Sequence, residues 1–131
     1  MNTELVAMAA ERHEGFEEHL SVFCPAYRHA IELVGRRWTG AILRAMLAGQ
    51  ARFSDIAAAV PGLSDRLLSE RLKELEAEQV VVRTVVPSTP VRVDYALTDK
   101  GRALNEVILA VSTWAEAWPP PPEVMAAAEK E

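Results

Sequence analysis

Arg66, Ser69, Glu70 and Lys73 follow one another at three-, one- and three-residue intervals, so a helical period of 3.6 places them on one face. Arg66, Ser69 and Lys73 donate hydrogen bonds, and their reach suits phosphate oxygens or the O6 and N7 acceptors of guanine. Glu70 and Asp65 only accept. Glu70 either takes the amino group of a cytosine or pairs with Arg66 or Lys73 on its own helix. From this helix alone, a solvated surface laced with ion pairs explains the pattern as well as base readout does.

Other reactive side chains are sparse. The chain has one cysteine, Cys24, and three histidines, His13, His19 and His29. Their spacing matches no standard zinc pattern and no second cysteine assists, so no metal is expected. No phosphate-binding glycine loop, dinucleotide fingerprint or nucleophile elbow is present, and no cofactor is expected. Asp94 with Tyr95, or Glu32 with His29, would make an acid–base pair, but nothing around either suggests a substrate site. An enzyme is not expected.

The elements that must carry the charged face read clearly. Residues 52–78 have the pattern of a short helix, a tight turn at Pro61-Gly62-Leu63, and a longer helix capped by Ser64. Leu68, Leu72 and Leu75 form the buried stripe of that second helix, flanked by Leu67 and Arg71. This is the layout of a helix-turn-helix, whose second helix enters the DNA major groove. Residues 80–87 are β-branched and end at Pro87, residues 91–97 alternate apolar and polar, and Pro87-Ser88-Thr89-Pro90 connects them. Two strands in that place make a wing, with Arg83 and Arg92 on its arms and Ser88 and Thr89 at its tip. An arginine there suits the negative potential of the minor groove. The expected DNA contacts are Arg52, Ser54, Ser64, Arg66, Ser69, Glu70, Lys73, Arg83, Ser88, Thr89 and Arg92.

Upstream, Pro25 starts a helix that stops at Gly35, and residues 38–48 form another, with Trp38, Ile42, Ala45 and Met46 near one face and Gly49 closing it. Arg52-Phe53 reads as a minimal strand before Ser54 caps the next helix. Thr98 caps a long final helix running to about Trp118, after which prolines 119–122 precede a frayed tail. That final helix carries Leu104, Val107, Ile108, Val111, Trp114, Ala115 and Trp118, a wide apolar face for the end of a small domain; it either covers the chain's own core or packs against a second copy, the dimer reading being favoured for Trp114 and Trp118. Residues 3–19 have acidic, helix-forming composition.

The 131 residues suit one compact domain, and half of them are apolar. The net charge of −5 is unevenly spread. Residues 36–102 hold eleven Lys/Arg against eight Asp/Glu, a net of +3, whereas residues 1–35 (two against six) and 103–131 (one against five) are each −4. The positive field therefore lies in the winged segment, but it is modest, so binding should rely on two subunits. No apolar run reaches membrane length and no signal peptide is visible, so a cytoplasmic protein without membrane contact is expected.

Taken together, Cys24-Pro25, Gly35 through Trp38-Thr39, Arg52-Phe53-Ser54-Asp55-Ile56, Pro61-Gly62-Leu63-Ser64, Leu68 through Arg71-Leu72, Glu74-Leu75-Glu76 and Tyr95-Ala96-Leu97-Thr98-Asp99-Lys100-Gly101 resemble the HxlR-type transcriptional regulators, a winged-helix group akin to the MarR-type regulators. The resemblance covers about residues 24–118. It implies a mostly α fold with a small β-wing, a homodimer formed through the N- and C-terminal helices, and binding of pseudo-palindromic double-stranded DNA. It divides the chain into an acidic helical extension (1–23), the winged-helix domain with its dimerisation helix (24–118) and a proline-rich tail (119–131). Many such regulators respond to oxidants, electrophiles or quinones, and in redox-sensing relatives the cysteine matching Cys24 is the reactive one. Here Cys24 precedes a helix start, where the dipole favours a thiolate, with Arg28 one turn on; a buried structural cysteine is the competing reading. A small aromatic effector would sit near Tyr27, Trp38 or Trp114. The wing departs from the family's usual basic tip, and the extension before Cys24 is longer and more acidic than typical. The alternative function is a winged-helix module for protein or small-ligand binding, without a DNA site of its own.

Overall fold

The computed structural model describes residues 24–129, and the expected helix over 3–19 lies outside them. The chain divides into two units after Arg36. In the first, helix α1 (Pro25–Val34) opens with proline at its first turn, behind an extended Cys24, and ends on Gly35, whose N–H bonds back to the Ile31 carbonyl.

The second unit begins with a tight turn in which Trp38 adopts φ 77°. The sequence suggests that Trp38 starts the next helix. It stands instead just outside helix α2 (Thr39–Leu47), because a left-handed residue cannot continue a right-handed helix. Gly49, at φ 107°, closes α2 through two reversed hydrogen bonds, Gly49 N–H to Met46 O and Gln50 N–H to Ala45 O.

Helix α3 (Phe53–Ala59) and helix α4 (Asp65–Ala77) make the helix-turn-helix. Gly62 takes φ 89° in the turn, a conformation that suits glycine, beside the Trp38 ring. The Ser64 hydroxyl accepts from the Leu67 N–H at 3.1 Å, the expected N-cap. Leu68, Leu72 and Leu75 are fully buried with Ile42, Leu43 and Ile56, which forms the core between α2, α3 and α4. The periodicity points to this stripe; on α2 it finds Ile42 but not Leu43.

Strand β1 (Val81–Val86) pairs antiparallel with strand β2 (Arg92–Leu97), from Val81 opposite Leu97 to Val86 opposite Arg92. A bridge, Arg52 to Asp94, and a hydrogen bond from Tyr95 N–H to Ala51 O add a third, minimal strand. That bridge corrects the expected cap of α3. It commits the extended Arg52 backbone, so the helix starts at Phe53, Arg52 is the N-cap without a side-chain bond, and Ser54 lies inside the first turn.

The long final helix is broken. Helix α5 (Asp99–Arg102) and helix α6 (Asn105–Ala117) are separated at Ala103 and Leu104. Thr98 caps α5 as expected, accepting from Gly101 N–H at 3.1 Å and donating to Gln79 O. A Cβ at Gly101 would collide with the Val80 carbonyl oxygen, so α5 can sit this close only with glycine there. The turn then resets through a tighter bond, Leu104 N–H to Gly101 O. Beyond Trp118, a helix α7 (Pro122–Glu129) replaces the expected frayed tail: proline suits a first helical position, and alanine-rich sequence favours the turns after it. No helix of the described residues is long and apolar enough to cross a membrane.

Candidate nucleic-acid interface

Because α4 is packed by its leucine stripe, its opposite face must point outward, and the wing stands beside it. Between them lies a groove of about 870 Å³. Arg52 and Ser54 enter it from the start of α3, Ser69 and Lys73 from α4, Arg83 from β1, Ser88 and Thr89 from the wing tip, and Arg92 from β2. Eight of the eleven side chains expected from sequence thus share one concave surface. Four of them are cationic, and among the described residues they face a single lining carboxylate, Glu76. Such an electropositive cleft suits a phosphodiester backbone.

The other three lie elsewhere. Ser64 is spent on its cap. Arg66 and Glu70 stand on the outer arc of α4, their Nε and Oε1 atoms 3.4 Å apart, with the Arg66 side chain 91% exposed. A pair this open is worth about 0.3–0.5 kcal/mol and separates easily. The single face expected of α4 is therefore two arcs: Ser69, Lys73 and Glu76 toward the wing, Arg66 and Glu70 toward open solvent. Sequence reasoning misses Glu76, although it stands three residues after Lys73 and the same helical period reaches it.

On the wing, the Ser88 hydroxyl donates to the Pro90 carbonyl at 2.7 Å, which shapes the tip and engages that donor. Arg92 Nε lies 3.1 Å from Asp94 Oδ1. Behind the groove, Arg71 is a further contributor that sequence places only on the flank of the stripe. Its Nε donates to the Arg37 carbonyl at 2.9 Å and its Nη1 to Glu74 at 3.2 Å, docking α4 against the turn that precedes α2.

The remaining candidates separate. Cys24 is half-buried at the head of α1, and Arg28 is engaged by Glu32 at 3.1 Å, so the expected partner of the thiol is committed to a carboxylate. Tyr27 is exposed on the same helix. Trp38 packs within the second unit: its ring lies 5.4 Å from the Arg37 guanidinium carbon and close to the Gly62 turn, so it supports the helix-turn-helix. Along α6 and its two capping residues, Leu104, Ile108 and Ser112 are half-buried at four-residue steps, whereas Val107, Val111, Trp114 and Trp118 are exposed. Among the described residues no three metal-binding side chains converge.

This arrangement is shared with known proteins. The HTH-type transcriptional regulator YvaP of Bacillus subtilis is 51% identical over 98 residues, 75% of this chain and 91% of that one. The regulator YodB of the same organism is 40% identical over 110 residues, 84% and 98% of the two chains. Its diamide-treated crystal structure superimposes with a TM-score of 0.64 at 42% identity over 77% of this chain and 100% of that one; the quinone-bound form gives 0.64 at 38% over 73% and 100%. The redox regulator HypR in its oxidized form gives 0.67 at 32%, over 75% and 100%. Residues 33–123 match the HxlR-like helix-turn-helix family, and with recognition helix, wing and relatives in agreement, the chain belongs to it.

Proposed function

We propose that this protein is a homodimeric transcriptional regulator that grips one DNA strand in the groove between α4 and the wing. Arg66 and Glu70 then face base edges in the major groove. The convergence of Arg52, Lys73, Arg83 and Arg92 on one concave surface carries this reading. The exposed α6 stripe supports the dimer: Trp114 and Trp118 are 65% and 69% exposed in the single chain, four residues apart on one face. Two subunits also offset the modest charge of one winged segment.

Cys24 supports a response to oxidants or electrophiles, in keeping with the diamide-treated and quinone-bound forms of YodB. With one cysteine per chain, the available chemistry is a disulfide between two subunits, a mixed disulfide with a small thiol, or alkylation. A small electrophile is the effector of this proposal, and the cytoplasm its place of action. A gel shift with the DNA upstream of its own coding sequence tests the core claim. Binding is expected for the wild type and is lost or much weakened in Arg66→Ala and Lys73→Ala. Unchanged binding in both variants would overturn the assignment of the reading face, and no binding by the wild type would favour a module without a DNA site.

A further inference from the structure

Asp94 lies just behind the groove, and its surroundings are unusual for a surface carboxylate. Its backbone is secured on both sides, opposite Thr84 in β1 and bridged to Arg52 at the start of α3. Its Oδ1 faces the Nε of Arg92, two residues back on the same strand, at 3.1 Å. Both atoms are sealed from solvent and neither makes a hydrogen bond, so the contact is Coulombic and out of alignment. Yet the side chains as wholes are 38% exposed for Arg92 and 30% for Asp94. The exposed part of Arg92 therefore lies beyond its Nε or along its stem.

An ion pair whose facing atoms are desolvated without gaining a hydrogen bond is a poor source of stability. It is a good way to hold a long side chain in one place. Arg92 lines the groove, whereas Asp94 does not. We propose that Asp94 is the positioning residue of the wing: it anchors Arg92 at Nε so that the two terminal nitrogens, a planar fork suited to phosphate, are presented to the DNA backbone. This rests on the groove being the DNA interface. The bridge to Arg52 extends the same order to the second groove cation, because one residue fixes the backbone of Arg52 and the side chain of Arg92.

The inference opposes simple electrostatics, which makes it testable. Removing a negative charge beside a polyanion site should tighten binding; losing the anchor of Arg92 should weaken it. The experiment titrates operator DNA against wild type, Asp94→Asn, Asp94→Glu, Arg92→Gln, Arg92→Lys and the double variant Asp94→Asn/Arg92→Gln across a range of salt, with thermal unfolding run alongside. Asp94→Asn is expected to bind roughly fivefold more weakly, with the log–log salt slope reduced by about one, as for loss of one phosphate contact. The double variant should be no weaker than Arg92→Gln alone, and Asp94→Glu should recover most of the loss. Arg92→Lys keeps the charge but has no Nε to anchor, so it too should weaken binding, which keeps the test valid should Asp94→Asn fold poorly. Equal or tighter binding by Asp94→Asn overturns the proposal. So does an unaffected Arg92→Gln where Lys73→Ala and Arg83→Ala are weakened, in which case the groove remains the interface. If Arg92→Gln, Lys73→Ala and Arg83→Ala are all unaffected, the groove reading falls and this inference with it.

Discussion

Arg71 on the recognition helix donates its Nε to the main-chain carbonyl of Arg37 across 2.9 Å, linking positions 34 residues apart. The Arg71 side chain is only 15% exposed, and its Nη1 also holds Glu74. The recognition helix is thus oriented twice, by its leucine stripe and by this polar tie. Arg71→Met keeps the stem and loses both bonds. It should destabilise the fold by about 1–3 kcal/mol, read by urea denaturation, and should lower operator affinity more than it lowers nonspecific affinity.

Arg83 stands opposite Tyr95 in the wing register and lines the groove. Arg83→Ala should weaken binding to operator and random DNA by similar factors and reduce the salt slope by about one, because a phosphate contact carries no sequence information. Fluorescence anisotropy at several salt concentrations measures both. A loss confined to the operator would instead make Arg83 a base reader.

Among the described residues, Glu76 is the one carboxylate lining the groove. Glu76→Gln removes its repulsion for phosphate while keeping the side chain's shape, and should tighten binding to any duplex about threefold. Weaker binding would mean that Glu76 accepts a bond from a base or orders a neighbouring cation.

The exposed Trp114 and Trp118 should be covered in the dimer. Trp114→Glu with Trp118→Glu should yield a monomer in sedimentation at micromolar concentration, with DNA binding lost at the same time, since each subunit alone carries few phosphate contacts. A persistent dimer would move the interface away from α6.

Cys24→Ser should fold and bind DNA as the wild type does, yet no longer respond to diamide or a quinone. Mass spectrometry of the treated wild type should show either an adduct or a linked dimer. An identical response of the serine variant would leave Cys24 a structural residue.

Much of the fold is legible in the chain itself. Periodicity places Leu68, Leu72 and Leu75 in the core, Ser64 and Thr98 announce two helix caps, and alternation with flanking prolines draws the wing. Eight of the eleven expected contacts lie in one groove because period-3.6 and period-2 patterns fix which way side chains leave a helix or strand.

The departures share a cause. Local sequence allows Ser54 as a cap, but the Arg52–Asp94 bridge spans 42 positions and the helix starts two residues earlier. The final helix reads as continuous; in the structure its first turn is tied to Val80, whose carbonyl accepts from Thr98 N–H, and the helix resets at Ala103 and Leu104.

The elements, most of their caps, their buried faces and the family resemblance are written in the order of residues, since these depend on neighbours within a turn or two. Which charges meet was left to the packing of distant segments. That packing brought Glu76 opposite the cations of the wing and gave Arg71 the Arg37 carbonyl. Coulombic and hydrogen-bonded contacts act over a few ångströms in space, so they depend on distances that no sequence spacing encodes.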